Sequence, residues 1–223
     1  MSGNSGIFNE KNQYVKLGNG GPSTNFKCIS FRDAVTVLEC CRISQNCIYF
    51  DKSLVPHGES MKHLSDLLLL GDPRLHLVSD PVLKSERSLV EGWVKDLHQV
   101  MLEIREKYHF GRAIAAPQLG IMKRLVYMNI DKPLVFINPE LRGLSEEKFE
   151  LWDDCMSFPN LLVRVLRHKS LTIDYLDQDW NKQSWNMQDD LSELLQHEVD
   201  HLNGILCTMR AIDYRSYKWR LSP

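Results

Sequence analysis

Two histidines stand four apart around a glutamate in LLQHEVDHLNG, residues 194–204. On a helix, positions i and i+4 fall one turn apart on the same side. His197 and His201 could therefore offer two ring nitrogens to one cation, with Glu198 alongside as a base for water. Leu191, Leu194, Leu195, Val199 and Leu202 form an adjoining apolar stripe, so the helix is expected to be well buried. Burying two imidazoles and a carboxylate without partners is costly, and a metal answers that cost. The competing reading is an ordinary helix whose polar residues fall at these positions by chance.

Two imidazoles do not complete a site, so a third ligand decides the matter. A zincin-type protease would take it from a downstream Glu or His, yet the 22 residues after His201 contain neither. Upstream, WDDCMSFPN offers Cys155. A thiolate with two imidazoles leaves a fourth position open for water. A lone cysteine is by default a small buried hydrophobe, which is the reading for Cys28, Cys40, Cys41, Cys47 and Cys207.

The elements that must carry these groups can be read from period and punctuation. Residues 86–108 space Leu89, Trp93, Leu97, Val100, Met101 and Ile104 as an amphipathic helix does. RLVYMNI, LVFINPEL, LLVRVL and LTIDYLD read as strands between Asp, Pro, Asn and Ser signals. LLLLGDPRLHLVSDPV, broken by Gly71, Pro73 and Pro81, reads mainly as loop. The final helix is expected to start near Asp189 or Asp190 and to stop at Gly204. Several strands with two clear helices imply an α+β fold rather than alternating α/β.

Composition narrows the field. The chain has 223 residues, 43% hydrophobic and 25% charged, with a net charge of -2. That is enough for a substantial core and too balanced for a nucleic-acid or anionic-membrane binder. The six cysteines include no C-x-x-C pair, which favours reduced thiols. No apolar run approaches a membrane span. Residues 1 to about 25 are rich in Gly, Asn and Ser and read as mobile. Their order suits neither a secretory signal nor a clean mitochondrial presequence, since Glu10 interrupts it and arginine is absent. From Phe26 to about Phe50 a strand pair, or a helix and a strand, are both open, and HGESMKHL reads as a linker. The expected division is an extension over residues 1–62, partly disordered, and a catalytic domain over residues 63–223.

Three ordered segments, GRAIAAPQLG (111–120), DDCMS (153–157) and HEVDH (197–201), together resemble the motifs of the peptide deformylase family. GDPRLHLVSDPV and INPEL add to the likeness, which covers about residues 66–213. The resemblance implies antiparallel sheets packed around a central helix bearing HEVDH. It implies one divalent ion on Cys155, His197 and His201, with Fe2+ favoured and Zn2+ or Ni2+ able to replace it. It implies removal of the formyl group from the N-terminal methionine of new polypeptides, with release of formate. Glu198 would move the proton, and Gln118 with the backbone N–H of Met156 would stabilise charge on the formyl oxygen. Asp200 or Asp153 is expected to pair with Arg167 behind the ligands. The partners implied are N-formylmethionyl peptides and the ribosome; the setting is bacterial cytoplasm or an organelle, with the mitochondrion favoured.

The sequence also departs from that pattern. The first motif usually reads Gly, apolar, Gly, where this chain has Gly111, Arg112 and Ala113. The residue before the metal-binding cysteine is usually Gly and here is Asp154. Glu193 and Asp190 lie four and seven residues before His197, near the ligand side of the helix with Leu194. The pocket for the substrate's first side chain is thus expected to involve Gly111, Arg112, Ala113, Asp154, Asp190, Glu193 and Leu194. Either the acids sit in a solvated first turn, or Arg112 pairs with Glu193 or Asp190 and repolarises the pocket. The second case predicts feeble turnover of formyl-methionyl peptides, or a polar N-acyl amine as substrate. A non-enzymatic module using the metal as a staple is the third reading, disfavoured by the presence of Glu198 and Gln118.

Overall fold

The computed structural model describes residues 61–221 together with strands β1 (Gly6–Phe8) and β2 (Tyr14–Lys16). The chain divides into two units, Met1–Leu54 and Val55–Pro223. In the first, β1 and β2 form an antiparallel pair with Ile7 opposite Val15. The strand or helix expected over residues 26–50, and most of the expected 1–62 extension, lie outside the described residues.

The second unit is built on two antiparallel sheets and two helices. Helix α1, Arg87–Tyr108, buries Val90, Leu97, Val100, Met101 and Ile104, close to the face that the apolar spacing marks out. Strands β3 (Ala113–Ala115), β4 (Leu125–Asn129), β5 (Pro133–Arg142), β8 (Ser170–Leu176) and β9 (Lys182–Gln188) form a five-stranded sheet in the order β3-β4-β5-β8-β9. Strands β6 (Lys148–Asp154), β7 (Leu161–His168) and β10 (Tyr217–Trp219) form the second sheet, ordered β10-β7-β6. The α+β class read from the sequence is the observed one.

Side-chain alternation explains why the larger sheet is covered on both faces. Successive residues of a strand point to opposite sides. Leu125 and Tyr127 of β4, with Val135 and Ile137 of β5, pack with α1. Val126, Met128 and Phe136 point the other way and pack with Leu194, Leu195 and Leu202 of α2, Asp189–Leu202. Helix α2 therefore runs against the sheet face opposite α1. Its other side meets β7, because Asp200 accepts a hydrogen bond from Arg167 Nη1 at 2.5 Å. A helix closed in from both sides can hold chemistry away from bulk water.

The N-cap of α2 is Gln188, one residue ahead of the expected pair. Asp189 and Asp190 occupy the first turn, where carboxylates favour the positive end of the helix dipole. Gly204 ends the segment at φ +70°, and a β-carbon there would stand 2.5 Å from the His76 carbonyl oxygen. Only glycine fits that approach. Strands β6 and β9 have no counterpart in the sequence reading. Both alternate in burial, but KFELWDD and KQSWNMQ put only Phe149 and Leu151, or Trp185 and Met187, on the inward face, too few apolar residues among polar ones to mark a strand clearly.

Candidate active site

Along α2, every residue from Ser192 to Leu202 is buried, and seven of these eleven are polar or charged. Buried polar groups need partners, and nearly all of these have one. Ser192 Oγ donates to the His168 carbonyl at 2.7 Å. The Gln196 amide bonds both backbone groups of His168, at 2.8 and 3.0 Å. Glu193 accepts from Arg112. Asp200 accepts from Arg167 and also from Arg210, at 2.6 and 3.0 Å. Among the described residues, two atoms of this helix stay without partners: Glu198 Oε2 and His201 Nδ1.

The remaining groups converge. His201 Nε2 lies 3.3 Å from Cys155 Sγ and 3.1 Å from His197 Nε2. The ligand atoms of Cys155, His197 and His201 all fall within 4.8 Å of one another. Bond lengths of about 2.0–2.3 Å at tetrahedral angles separate neighbouring ligand atoms by roughly 3.3–3.6 Å, so the cluster fits one cation with little adjustment. His197 Nδ1 stands 2.8 Å from Asp153 Oδ1. With that nitrogen donating to the carboxylate, Nε2 keeps its lone pair turned toward the thiol.

Local structure places each ligand. Cys155 follows β6 directly, and its carbonyl accepts from Phe158 N at 3.1 Å in a tight turn. The thiol thereby faces α2, in a cluster with Val163, Val165, Leu206 and Cys207. Asp153 is fixed from behind by Arg167 Nη2 at 2.8 Å. Burial works to raise the Asp153 carboxyl, but His197 and Arg167 overcome it and hold it at about 2. The sequence expectation allowed either Asp153 or Asp200 to meet Arg167, and the guanidinium takes both. Arg210 was not foreseen; an arginine after the last helix carries no local signal of its partner.

Gln118 sits in a short 3₁₀ turn, Ala116–Leu119, opened by Pro117 and closed by Gly120 at φ +74°. Its side chain is 1% exposed. Gln118 Oε1 accepts from Ala115 N at 3.0 Å, which turns Nε2 toward Ser157 Oγ at 3.1 Å and Cys155 Sγ at 3.6 Å. Ser157, within DDCMS but given no role by sequence, is thus part of what orients the amide.

A cavity of about 250 Å³ opens beside His197 and Glu198. Of the residues expected around the substrate, Gly111, Arg112, Ala113, Asp154, Glu193 and Leu194 line it, as do Gln118 and Met156. Asp190 does not: it is exposed on the first turn of α2, outside the lining. Phe110, Leu151 and Trp152 join the wall unannounced, since adjacency in space between β6 and the α1–β3 connection is not written in either segment alone. The Arg112 guanidinium pairs with Glu193, and the Asp154 carboxylate turns away to Arg220, whose guanidinium lies 4.7 Å from the Phe110 ring centre. Burial, opposed by His197, lifts the Glu198 carboxyl to about 7, a range suited to taking and returning a proton near neutrality.

A buried thiol–imidazole cluster able to hold a cation, an unpartnered carboxyl beside it and an adjoining cleft are the features of a metal-dependent hydrolase on an α+β scaffold. Residues 64–216 match the family described as polypeptide deformylase. The peptide deformylase of Rhizobium meliloti (strain 1021) is 35% identical over 159 residues, covering 69% of this chain and 86% of that protein. That of Brachyspira hyodysenteriae (strain ATCC 49526 / WA1) is 32% identical over 161 residues, covering 68% and 83%. The crystal structure of a peptide deformylase from Synechococcus elongatus in complex with actinonin superposes with a TM-score of 0.62 at 28% identity, covering 72% of this chain and 87% of that one. The chain belongs to the polypeptide deformylase family. Among the described residues no helix is long and apolar enough to cross a membrane.

Proposed function

We propose that Cys155, His197 and His201 hold one divalent cation and that Glu198, Gln118 and Met156 work beside it in the family's reaction. In that reaction the N-formyl group leaves the N-terminal methionine of a new polypeptide as formate. The observation that carries this reading is the meeting of one sulfur and two Nε2 atoms, next to the unpartnered Glu198 Oε2, at the floor of the cleft. Ferrous iron is our preferred ion, with zinc and nickel able to serve; thiolate and imidazole suit all three. Bound there, the cation supplies Lewis-acid polarisation and makes water more acidic.

The chain's own groups do the rest. Glu198 accepts a proton from the attacking water and returns it to the departing amine. As attack proceeds, the formyl oxygen gains negative charge, and Gln118 Nε2 with the Met156 backbone N–H donates to it. The hydrogen bond from Ala115 N keeps the Gln118 amide aimed, so no reorientation is needed during the reaction. Strands β3 and β6 are each the last strand of their sheet, and both border the cleft. Among the described residues no further strand pairs with their outer edges, which suits an extended peptide lying between them. A Met-Ala-Ser-bound peptide deformylase of Acinetobacter baumannii superposes on this chain with a TM-score of 0.60 at 28% identity, which supports a peptide as substrate.

We assign the catalytic domain to residues 63–223. We place its work near the ribosome, in a compartment where translation begins on formyl-methionine. The test is formate release from a formyl-Met-Ala-Ser peptide by iron- or zinc-loaded protein, with metal content measured on the same preparation. Full occupancy with no release above the metal-free control would reject the reading.

A further inference from the structure

The cavity beside Glu198 has a wall that the hydrolysis itself does not require. Glu193 lies one helical turn before His197 on the same side of α2, with its side chain only 6% exposed. Arg112, at the entry to β3, is its hydrogen-bond partner among the described residues. The Arg112 side chain is 42% exposed and lines the same cavity. A guanidinium carries five N–H donors in a fixed fork. Among the described residues that side chain makes one hydrogen bond, to Glu193. The other nearby acids do not take up the rest, because Asp154 is engaged by Arg220 and Asp190 stands outside the lining. Leu151, Met156 and Leu194 add apolar surface to the same lining.

A side chain entering this cavity therefore meets apolar walls along its stem and guanidinium donors at one side. An apolar tip would strip water from those donors and return no acceptor, which is unfavourable. A carboxylate tip would meet the buried Glu193 carboxylate, which already balances the Arg112 charge. A neutral acceptor fits both conditions. We propose that Arg112, held in place by Glu193, selects formyl peptides whose first side chain is unbranched and carries a neutral hydrogen-bond acceptor at or next to its tip, a thioether weakly and a sulfoxide or amide oxygen more strongly. Methionine sulfoxide and glutamine are then accepted beside methionine, while an all-carbon chain of equal length is disfavoured. This inference rests on the deformylase reading and concerns the same cleft.

The experiment compares formate release from formyl-X-Ala-Ser peptides with X as methionine, methionine sulfoxide, glutamine, norleucine or glutamate, using metal-loaded full-length protein. The expected kcat/KM for the sulfoxide and glutamine peptides exceeds that for norleucine by roughly tenfold or more, chiefly through KM, with glutamate poorest. In the Arg112→Ile/Glu193→Leu double variant, which leaves no unpaired buried charge, norleucine overtakes the sulfoxide. Norleucine equal to or better than the sulfoxide in the unsubstituted protein overturns the inference alone, provided that formyl-methionine is turned over. So does a preference that survives the double substitution. No formate from any peptide, despite full metal occupancy, overturns both this inference and the deformylase reading. The peptide series on the unsubstituted protein decides the question even if the double variant fails to fold.

Discussion

Replacing Arg167 with methionine removes a guanidinium shared by two buried carboxylates while keeping a side chain of similar reach. In the folded protein Arg167 donates to Asp153 at 2.8 Å and to Asp200 at 2.5 Å, and its own side chain is 3% exposed. Asp200 keeps Arg210, so the loss falls mainly on Asp153, which retains only His197. A carboxyl held at about 2 when folded, by His197 first and Arg167 next, against about 3.9 in an unfolded chain, contributes roughly 2–3 kcal/mol near neutrality, and Arg167 supplies a part of it. Breaking a buried pair by removing one partner costs about 3–5 kcal/mol in all, and that is the expected loss at pH 7. Because the folded pKa is depressed, the contribution is present above about pH 4 and disappears as pH falls toward 2. The gap between the two proteins should therefore narrow in acid, being roughly half gone near pH 3. Asp153 also orients His197, so zinc affinity should fall by about 10- to 100-fold. Urea unfolding at pH 7 and pH 3, with a competitive zinc titration, measures both effects. A loss under about 1 kcal/mol at both pH values with unchanged zinc affinity would refute the reasoning.

Glu198→Gln keeps shape but not proton transfer, so formate release should drop by about 10²- to 10⁴-fold while metal content, measured by elemental analysis, stays at the level of the unsubstituted protein. Gln118→Leu removes a donor aimed at the thiol and Ser157; kcat should fall about 10²- to 10³-fold with KM for the formyl peptide changing far less, read from steady-state kinetics. Gly204→Ala forces a methyl toward the His76 carbonyl at positive φ and should cost roughly 1–3 kcal/mol in urea unfolding; an unchanged midpoint would contradict the close approach.

Much of this protein was legible because its signals are local. The apolar spacing over residues 86–108 is a property of one segment, and it delivered α1 with its buried face nearly intact. The i,i+4 histidines needed only helix geometry to share a side. Cys155 was found by elimination and by the order of three motifs, and it does lie 3.3 Å from His201. Strands β6 and β9 escaped because each alternates only two apolar residues among polar ones, a weak signal for a strand. The choice between Glu193 and Asp190 as the partner of Arg112 was likewise open. Both acids lie near the ligand side of the helix, and only the path of β3 past the second turn of α2 settles the pair on Glu193.

By itself the chain's order of residues determined the class of fold, the two long helices and the chemical identity of the groups able to bind a cation and shift a proton. Fold class and helices follow from period and punctuation, which act over a few residues; the reactive groups followed from the spacing within HEVDH and from the resemblance of three motifs to a known family. Tertiary structure alone decided what those groups face. It brought Arg210 to Asp200, gave Arg167 both of its candidate acids at once and turned Asp154 toward Arg220. It also left Glu198 Oε2 without a partner, among the described residues, beside a cleft of mixed polar and apolar lining. Such pairings depend on where distant segments pass one another, and burial then makes each of them cost or contribute far more than it would in water.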